Sequence, residues 1–377
     1  MPFPATKIEG FRYGYVYGVH YYMHNISMNS SIIINGRKIG PNEPVYIIAE
    51  LSANHGQDFS RAVETIHAMK ESGADAVKLQ TYTADTMTID CDREEFKIGK
   101  GTIWEGKKLF DLYKEAFTPW EWQPKLKEEA QKLGIDLFST PFDASAVDFL
   151  EEMDVPAYKI ASFELTDIPL LEKVGSLKKP VIMSTGMGTF EEIKEAVDTL
   201  RNAGTDEIVL LKCTSAYPAD PSDINLLTIS DLSEKLNIPV GLSDHTLSIA
   251  VPIAAVSVGA CVIEKHFTIS RDAGGPDSVF SLEPSEFKQM VEEVRVAQKA
   301  LGKISYDVTE KEQTSRVFRR SVFVVEDINE GEEFNANNTR VIRPSYGLPP
   351  KKIKDIIGKK SAKTIGKGTP LTDELIA

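Results

Sequence analysis

The sequence predicts an α/β fold: a (β/α)8 barrel followed by a small second domain. Three observations carry that prediction. Short apolar runs recur eight times between residues 45 and 267, each followed by a longer stretch with helical spacing. The runs end in polar or charged residues. The alternation stops near Gly302, where a polar stretch leads into short runs broken by glycine and proline.

In order, the runs are VYIIAEL (45–51), AVKLQTY (76–82), DLFSTPF (136–142), AYKIASF (157–163), PVIMSTG (180–186), EIVLLKCT (207–214), PVGLSDH (239–245) and CVIEKHF (261–267). Between them lie amphipathic segments such as SRAVETIHAMKESGA, PWEWQPKLKEEAQKLG and TFEEIKEAVDTLRNAG, several ending in the glycine that often stops a helix. Eight β-then-α units match a barrel. A doubly wound sheet is the alternative, but it usually has fewer strands and opens on a glycine-rich turn. AELSANHG supplies no such turn.

Residues 1–30 read as a disordered or mis-assigned extension. FRYGYVYGVHYYMHNISM has five of the twelve tyrosines but no basic segment ahead of an apolar one, so it makes a poor signal peptide. His20 and His24 within it are expected to be bystanders. The organisation expected is an extension over 1–30, the barrel over 31–302, a linker over 303–319 and a second module over 320–377.

The 377 residues are 42% hydrophobic and 26% charged, with a formal net charge of −13. That balance argues against a sequence-independent nucleic-acid binder, which shows a basic face. It leaves room for an anionic substrate held by a few local lysines. No run approaches the ~18 apolar residues of a membrane span. The cysteines, Cys91, Cys213 and Cys261, are sparse and odd in number, which suits a reducing compartment and hence the cytoplasm. Cys213 and Cys261 are expected in the core.

In a barrel the active site lies at the C-terminal ends of the strands, and there these runs turn polar. They end in Glu50, Lys78 with Gln80, Ser139-Thr140, Lys159 with Ser162 and Glu164, Ser184-Thr185, Lys212 with Thr214-Ser215, Ser243 with His245, and Lys265-His266. Buried parallel strands are otherwise almost wholly apolar, and charges in them need a partner or a ligand. Lysines ringed by small hydroxyls are what a phosphate or carboxylate needs. Taken singly, each serine or threonine reads as a helix cap; the set with both Lys78 and Lys159 reads as an anion site. His245 and His266 end consecutive strands, which lie ~4.8 Å apart, so two imidazoles could share a divalent cation such as Mn²⁺ or Zn²⁺. Taken alone, a histidine in a strand is more often hydrogen-bonded structure. Glu50 and Glu164 offer acid–base capacity. His55 follows the first run and could line the site, and His67 is expected to be structural.

The motifs IIAELSANH, VKLQTYT, FSTPFD, DVPAYKIASFE, IMSTGM, GLSDHT, IEKHFT and GGPDSVFSLEP, in this order and spacing, resemble the sialic acid synthase family from about residue 32 to the end. TPWEWQPKL, SFELTDIPL and GGPDSVFSLE are most similar to its pseudaminic acid synthases. Sialic and legionaminic acid synthases tend to have histidine where this chain has Ser278.

The resemblance implies a metal-dependent condensation of phosphoenolpyruvate with a 2,4-diacetamido-2,4,6-trideoxyhexose of the altrose type and water. The products are a nonulosonic acid (pseudaminic acid) and phosphate, released by C–O cleavage. It implies a metal, Mn²⁺ foremost with Mg²⁺ or Co²⁺ as substitutes, on His245 and His266. Lys78, Thr140, Lys159, Ser162, Ser184 and Ser243 would hold phosphoenolpyruvate. Glu50, Gln80 and Glu164 would be catalytic, with Glu164 moving the proton. Tyr217, Asp277, Phe318 and Arg343 would contact the N-acylated amino sugar. The family often has asparagine where this chain has Ser215 in CTSAYP, which puts that carry-over in doubt. The C-terminal module resembles an antifreeze-like (SAF) domain, and in the family it covers the active site of the partner subunit in a domain-swapped homodimer.

Other readings stay open. N-acetylneuraminate or legionaminate synthesis would use N-acetylmannosamine or a 2,4-diacetamido-trideoxymannose. A phosphoenolpyruvate-dependent enzyme making seven- or eight-carbon sugar acids would share the anion ring but lack the C-terminal module. A barrel metal hydrolase would usually carry a His-x-His pair on its first strand, and none occurs here. A passive binding protein, suggested by the antifreeze-like tail alone, has no reason to keep charges in its strands.

Overall fold

The structure, a computed structural model, describes residues 31–377 apart from 100 and 102. His20 and His24 lie outside the described residues. Two compact units divide at Gly302 and Lys303.

The first unit opens on a hairpin, β1 (Ile32–Ile34) and β2 (Arg37–Ile39), paired antiparallel with Ile32 opposite Ile39. Its turn is Asn35-Gly36, both at positive φ (46° and 77°), the conformation that an Asn-Gly hairpin favours. Arg37 pairs with Asp75, Asn35 Nδ2 donates to Asp136, and Ile33 N–H donates to Glu207. These three acids stand at or just before the starts of barrel strands, so the hairpin is bonded to the N-terminal end of the barrel.

The barrel strands are β3 (Tyr46–Glu50), β4 (Ala76–Thr81), β5 (Asp136–Pro141), β6 (Tyr158–Ile160), β7 (Val181–Ser184), β8 (Ile208–Cys213), β9 (Val240–Asp244) and β10 (Val262–His266). All are parallel, and β10 closes on β3. All eight predicted runs are strands of this barrel. Both faces are buried, which is why the runs are Val-, Ile- and Leu-rich without alternation. Helices surround them: α1 (Phe59–Glu71), α2 (Gln123–Leu133), α3 (Ala144–Glu152), α4 (Ile168–Ser176), α5 (Phe190–Ala203), α6 (Thr228–Leu236), α7 (Ala250–Ser257) and α8 (Pro284–Leu301). Their ends follow local chemistry. The Asp58 carboxylate accepts the Ser60 and Arg61 N–H groups at the start of α1, Thr189 and Glu192 form a capping box on α5, and Gly134 ends α2 at φ 62°.

Register decides which strand-end residues meet inside the barrel. Side chains alternate between faces, and register partners in a parallel sheet share a face. Glu50 is opposite Lys78, Lys78 opposite Phe138, Gln80 opposite Thr140, Lys159 opposite Ile182, Ser184 opposite Leu211, Cys213 opposite Ser243, Ser243 opposite Glu264, and His266 opposite Glu50. These residues share the inner face. Ser139, Lys212 and Lys265 fall on the outer face. Ser139 is bonded to Thr81, which also donates to Gln123 of α2. Gly241 permits close approach of β9 and β10: a Cβ there would sit 2.3 Å from the Val262 carbonyl oxygen.

The second unit pairs β11 (Ser321–Val324) with β12 (Thr339–Ile342), antiparallel. Its small core gathers Val322, Val324, Ile328, Phe334, Ile356, Ile365, Leu371 and Leu375. The stretch expected as a linker carries a short helix, Glu310–Ser315, capped by a Thr309–Glu312 box.

Candidate active site

The inner-face residues at the C-terminal strand ends form one connected cluster. Lys78 Nζ stands 2.9 Å from Glu50 Oε2 and 2.9 Å from Glu264 Oε1. Glu50 also accepts from Gln80 Nε2 at 2.9 Å, and its Oε2 is 3.0 Å from His266 Nε2. Lys159 donates to Ser184 Oγ at 2.6 Å and to the Ile160 carbonyl at 2.9 Å, with Glu264 at 3.7 Å. Ser243 Oγ donates to Glu264 at 3.0 Å. Ser162 Oγ accepts the Gly186 N–H at 3.0 Å. A Cβ on Gly186 would lie 2.3 Å from Ser215 Oγ and 2.7 Å from Ser162 Oγ, so the loop after β7 needs glycine to pass between those hydroxyls.

His245 and His266 lie side by side, ring centroids 5.3 Å apart. His245 Nδ1 is 3.1 Å from the Thr214 carbonyl oxygen. A carbonyl can only accept, so Nδ1 carries the proton and the Nε2 lone pair is left for another partner. His266 Nδ1 is buried with no hydrogen-bond partner among the described residues. Two imidazoles with uncommitted lone pairs, next to a carboxylate, fit a borderline divalent cation. No group of three or more His, Cys, Asp or Glu residues that could hold a metal occurs among the described residues, so such an ion would need oxygen from water or substrate as well.

Among the described residues, five buried side-chain atoms have no partner, and four of them stand at these strand ends: Thr140 Oγ1, Glu164 Oε2, Glu264 Oε2 and His266 Nδ1. Unsatisfied buried polar atoms are costly and rare, and here they gather where a polar ligand would bind. An aromatic wall borders them. Tyr217 lies 4.5 Å from the His245 ring and 5.1 Å from Phe280, and Phe280 lies 4.9 Å from His266. Trp104 reaches this wall 5.7 Å from Tyr217, and its Nε1 donates to the Pro276 carbonyl at 3.0 Å. Asp277 accepts from Ser52 Oγ.

The electrostatics divide the carboxylates by role. Burial alone would raise Glu50, but His266 and Lys78 hold its carboxyl well below the usual range. Burial also opposes the charge on Lys78, and Glu264 and Glu50 more than offset it. Lys159 is brought down to about 8, chiefly by burial. Burial pushes Glu164 up to about 7, which poises it to give or take a proton near neutrality.

The barrel thus brings together Glu50, Lys78, Gln80, Thr140, Lys159, Ser162, Glu164, Ser184, Tyr217, Ser243, His245 and His266. Phe318 and Arg343 belong to the second unit, where both are exposed; Ser345 bonds the backbone at Arg316 and Val317, tying the segments that carry them.

Several expectations need correction. His55 does not line the mouth. It is buried, bonded to Thr118 Oγ1 at 3.2 Å and edge-on to Trp122, and burial lowers it to about 4. Cys213 is buried, as expected, and its Sγ is 3.9 Å from His245 Nδ1. Burial raises its thiol, and His245 outweighs that, bringing it down to about 7. Lys212 and Lys265 end their strands on the outer face. The residue missed was Glu264, which joins Lys78, Lys159 and Ser243. Its signal was present in IEKH, because a period of two puts Glu264 on the face of His266.

The NeuB family model matches residues 65–306, and a SAF domain model matches 319–377. The chain belongs to the NeuB family. Within it, the chain is 44% identical over 331 residues to pseudaminic acid synthase of Helicobacter pylori, covering 88% of this chain and 97% of that protein. It is 46% identical to pseudaminic acid synthase of Campylobacter jejuni serotype O:2 over 327 residues, 87% and 95% of the two chains. N,N'-diacetyllegionaminic acid synthase of Legionella pneumophila is 39% identical over 93% of this chain and 99% of its own. Among solved structures, N-acetylneuraminic acid synthetase of Leptospira borgpetersenii superposes with a TM-score of 0.68 at 34% identity, covering 76% of this chain and 95% of that one.

Proposed function

We propose that this NeuB-family chain is a pseudaminic acid synthase. It condenses phosphoenolpyruvate with 2,4-diacetamido-2,4,6-trideoxyaltrose and water to give pseudaminic acid and phosphate. The observation that carries the reading is the cluster of Lys78, Lys159 and unsatisfied strand-end donors beside two imidazoles. The identities to pseudaminic acid synthases, higher than to the legionaminic acid synthases, support the choice of sugar.

Lys159, Ser184, Thr140, Ser162 and Ser243, with Lys78, bind the phosphate and carboxylate of phosphoenolpyruvate. Its C3 attacks the open-chain aldehyde of the sugar, water adds at C2, and the tetrahedral intermediate expels phosphate by breaking its C–O bond. Glu164 moves the proton at the water oxygen, since its carboxyl titrates near neutrality. Glu50 and Gln80 orient the reacting carbonyl and water, and Tyr217 and Asp277 hold the sugar. A divalent cation on His245 and His266, Mn²⁺ foremost, would polarise the aldehyde as a Lewis acid. Phe318 and Arg343 meet the sugar from the C-terminal module of a second copy, a role that suits their exposure. The enzyme works in the cytoplasm, where its substrate phosphoenolpyruvate is made. No helix of the described residues is long and apolar enough to cross a membrane.

The test is phosphate release from phosphoenolpyruvate with each sugar in turn. Release with the trideoxyaltrose and little with N-acetylmannosamine or the trideoxymannose supports the reading, and the reverse preference refutes it.

A further inference from the structure

Behind the two imidazoles lies an ion pair that the proposed chemistry does not use. Lys265 Nζ stands 2.5 Å from Asp244 Oδ2, and both side chains are 0% exposed. Lys265 also donates to the Thr246 carbonyl. Asp244 Oδ1 accepts the Thr246 N–H at 2.9 Å, and Oδ2 accepts from Thr246 Oγ1 at 3.1 Å.

The place of this knot is informative. Asp244 and Lys265 are register partners at the end of the β9–β10 ladder. Each is followed directly by one of the two histidines. His245 comes after the last paired residue of β9, so the ladder itself does not hold it. The pair closes on the outer face just where backbone pairing stops, with the imidazoles on the inner face. Buried ion pairs are a poor source of stability, because desolvation offsets their attraction and apolar replacements are often neutral or better. What such a pair can supply is a fixed geometry.

We infer that Asp244 and Lys265 are positioning residues: their ion pair clamps the ends of β9 and β10 and sets the separation at which His245 and His266 share a cation. This inference rests on the proposed cation site. Residues that orient metal ligands are worth ~10–100-fold in metal affinity.

The experiment is calorimetric titration of the metal-free full-length protein with Mn²⁺, with thermal unfolding alongside. The wild type, His245→Ala and the double variant Asp244→Leu/Lys265→Met are compared. The wild type binds and His245→Ala does not. The double variant still folds cooperatively, yet binds Mn²⁺ about 10–100-fold more weakly. A folded double variant with wild-type affinity overturns the clamp while leaving the cation site standing. A wild type indistinguishable from His245→Ala overturns the cation site and the clamp with it. Should the double variant fail to fold, Asp244→Asn decides, because its Oδ1 still accepts the Thr246 N–H. Weakening of about tenfold supports the clamp, and unchanged affinity overturns it.

Discussion

Lys78 Nζ lies 2.9 Å from Glu264 Oε1, a contact that reaches past β3 from β4 to β10 and joins the lysine side of the mouth to the imidazole side. Lys78 is held between two carboxylates, whereas Lys159 keeps Glu264 only at 3.7 Å. Lys159 is therefore the cation with more to gain from an anionic substrate.

Removing the charge of Glu264 leaves two buried ammonium groups less compensated. Glu264→Gln is expected to lose about 3 kcal/mol of stability, the usual scale for breaking a buried pair from one side. Chemical denaturation measures it. An unchanged midpoint and slope would show that the pair is not formed.

The pH profile carries two signatures. Anion binding needs protonated Lys159, which titrates at about 8. Affinity for phosphoenolpyruvate is full below that value and falls as pH rises through it, so KM for phosphoenolpyruvate climbs above about pH 8. Glu164, at about 7 in the free enzyme, contributes an inflection near neutrality in kcat/KM. Glu164→Gln should remove that inflection and keep the alkaline rise in KM. A variant profile that retains both limbs contradicts the assignment.

His245→Ala and His266→Ala should each lower kcat by about a thousandfold, the order expected when a Lewis acid worth several kcal/mol is lost. Their far-ultraviolet spectra should not change, because both are buried at strand ends and neither belongs to the apolar core. Wild-type turnover that persists in excess chelator would refute the cation.

Gly241 tests the barrel independently of chemistry. The Cβ of Gly241→Ala meets the Val262 carbonyl oxygen at 2.3 Å and Leu211 Cδ2 at 2.8 Å. A loss of about 1–3 kcal/mol is expected from this overpacking. Thermal unfolding with no loss would mean that β9 and β10 are further apart.

Much of this arrangement was legible in the sequence because apolar runs bury both faces of parallel strands, so all eight appeared without alternation. Polar strand ends then pointed to one rim. Alternation separates the two faces of each strand, but the sequence did not say which of them turns inward. Lys212 and Lys265 end their runs as conspicuously as Lys78 and Lys159 do, and only register divides them. Glu264 was overlooked because it precedes two more conspicuous residues, Lys265 and His266. His55 misled because a loop after a barrel strand is a common place for a site residue, whereas Thr118 and Trp122, distant in sequence, enclose it.

The proposed reaction splits the enol phosphate at its C–O bond in this mouth, after carbon–carbon bond formation. Phosphoenolpyruvate carrying heavy oxygen in the bridge between C2 and phosphorus tests it most directly, with both products weighed by mass spectrometry. C–O cleavage puts the heavy atom in the released phosphate and ordinary water oxygen in the sugar acid. Heavy oxygen retained at C2 of the sugar acid would contradict it.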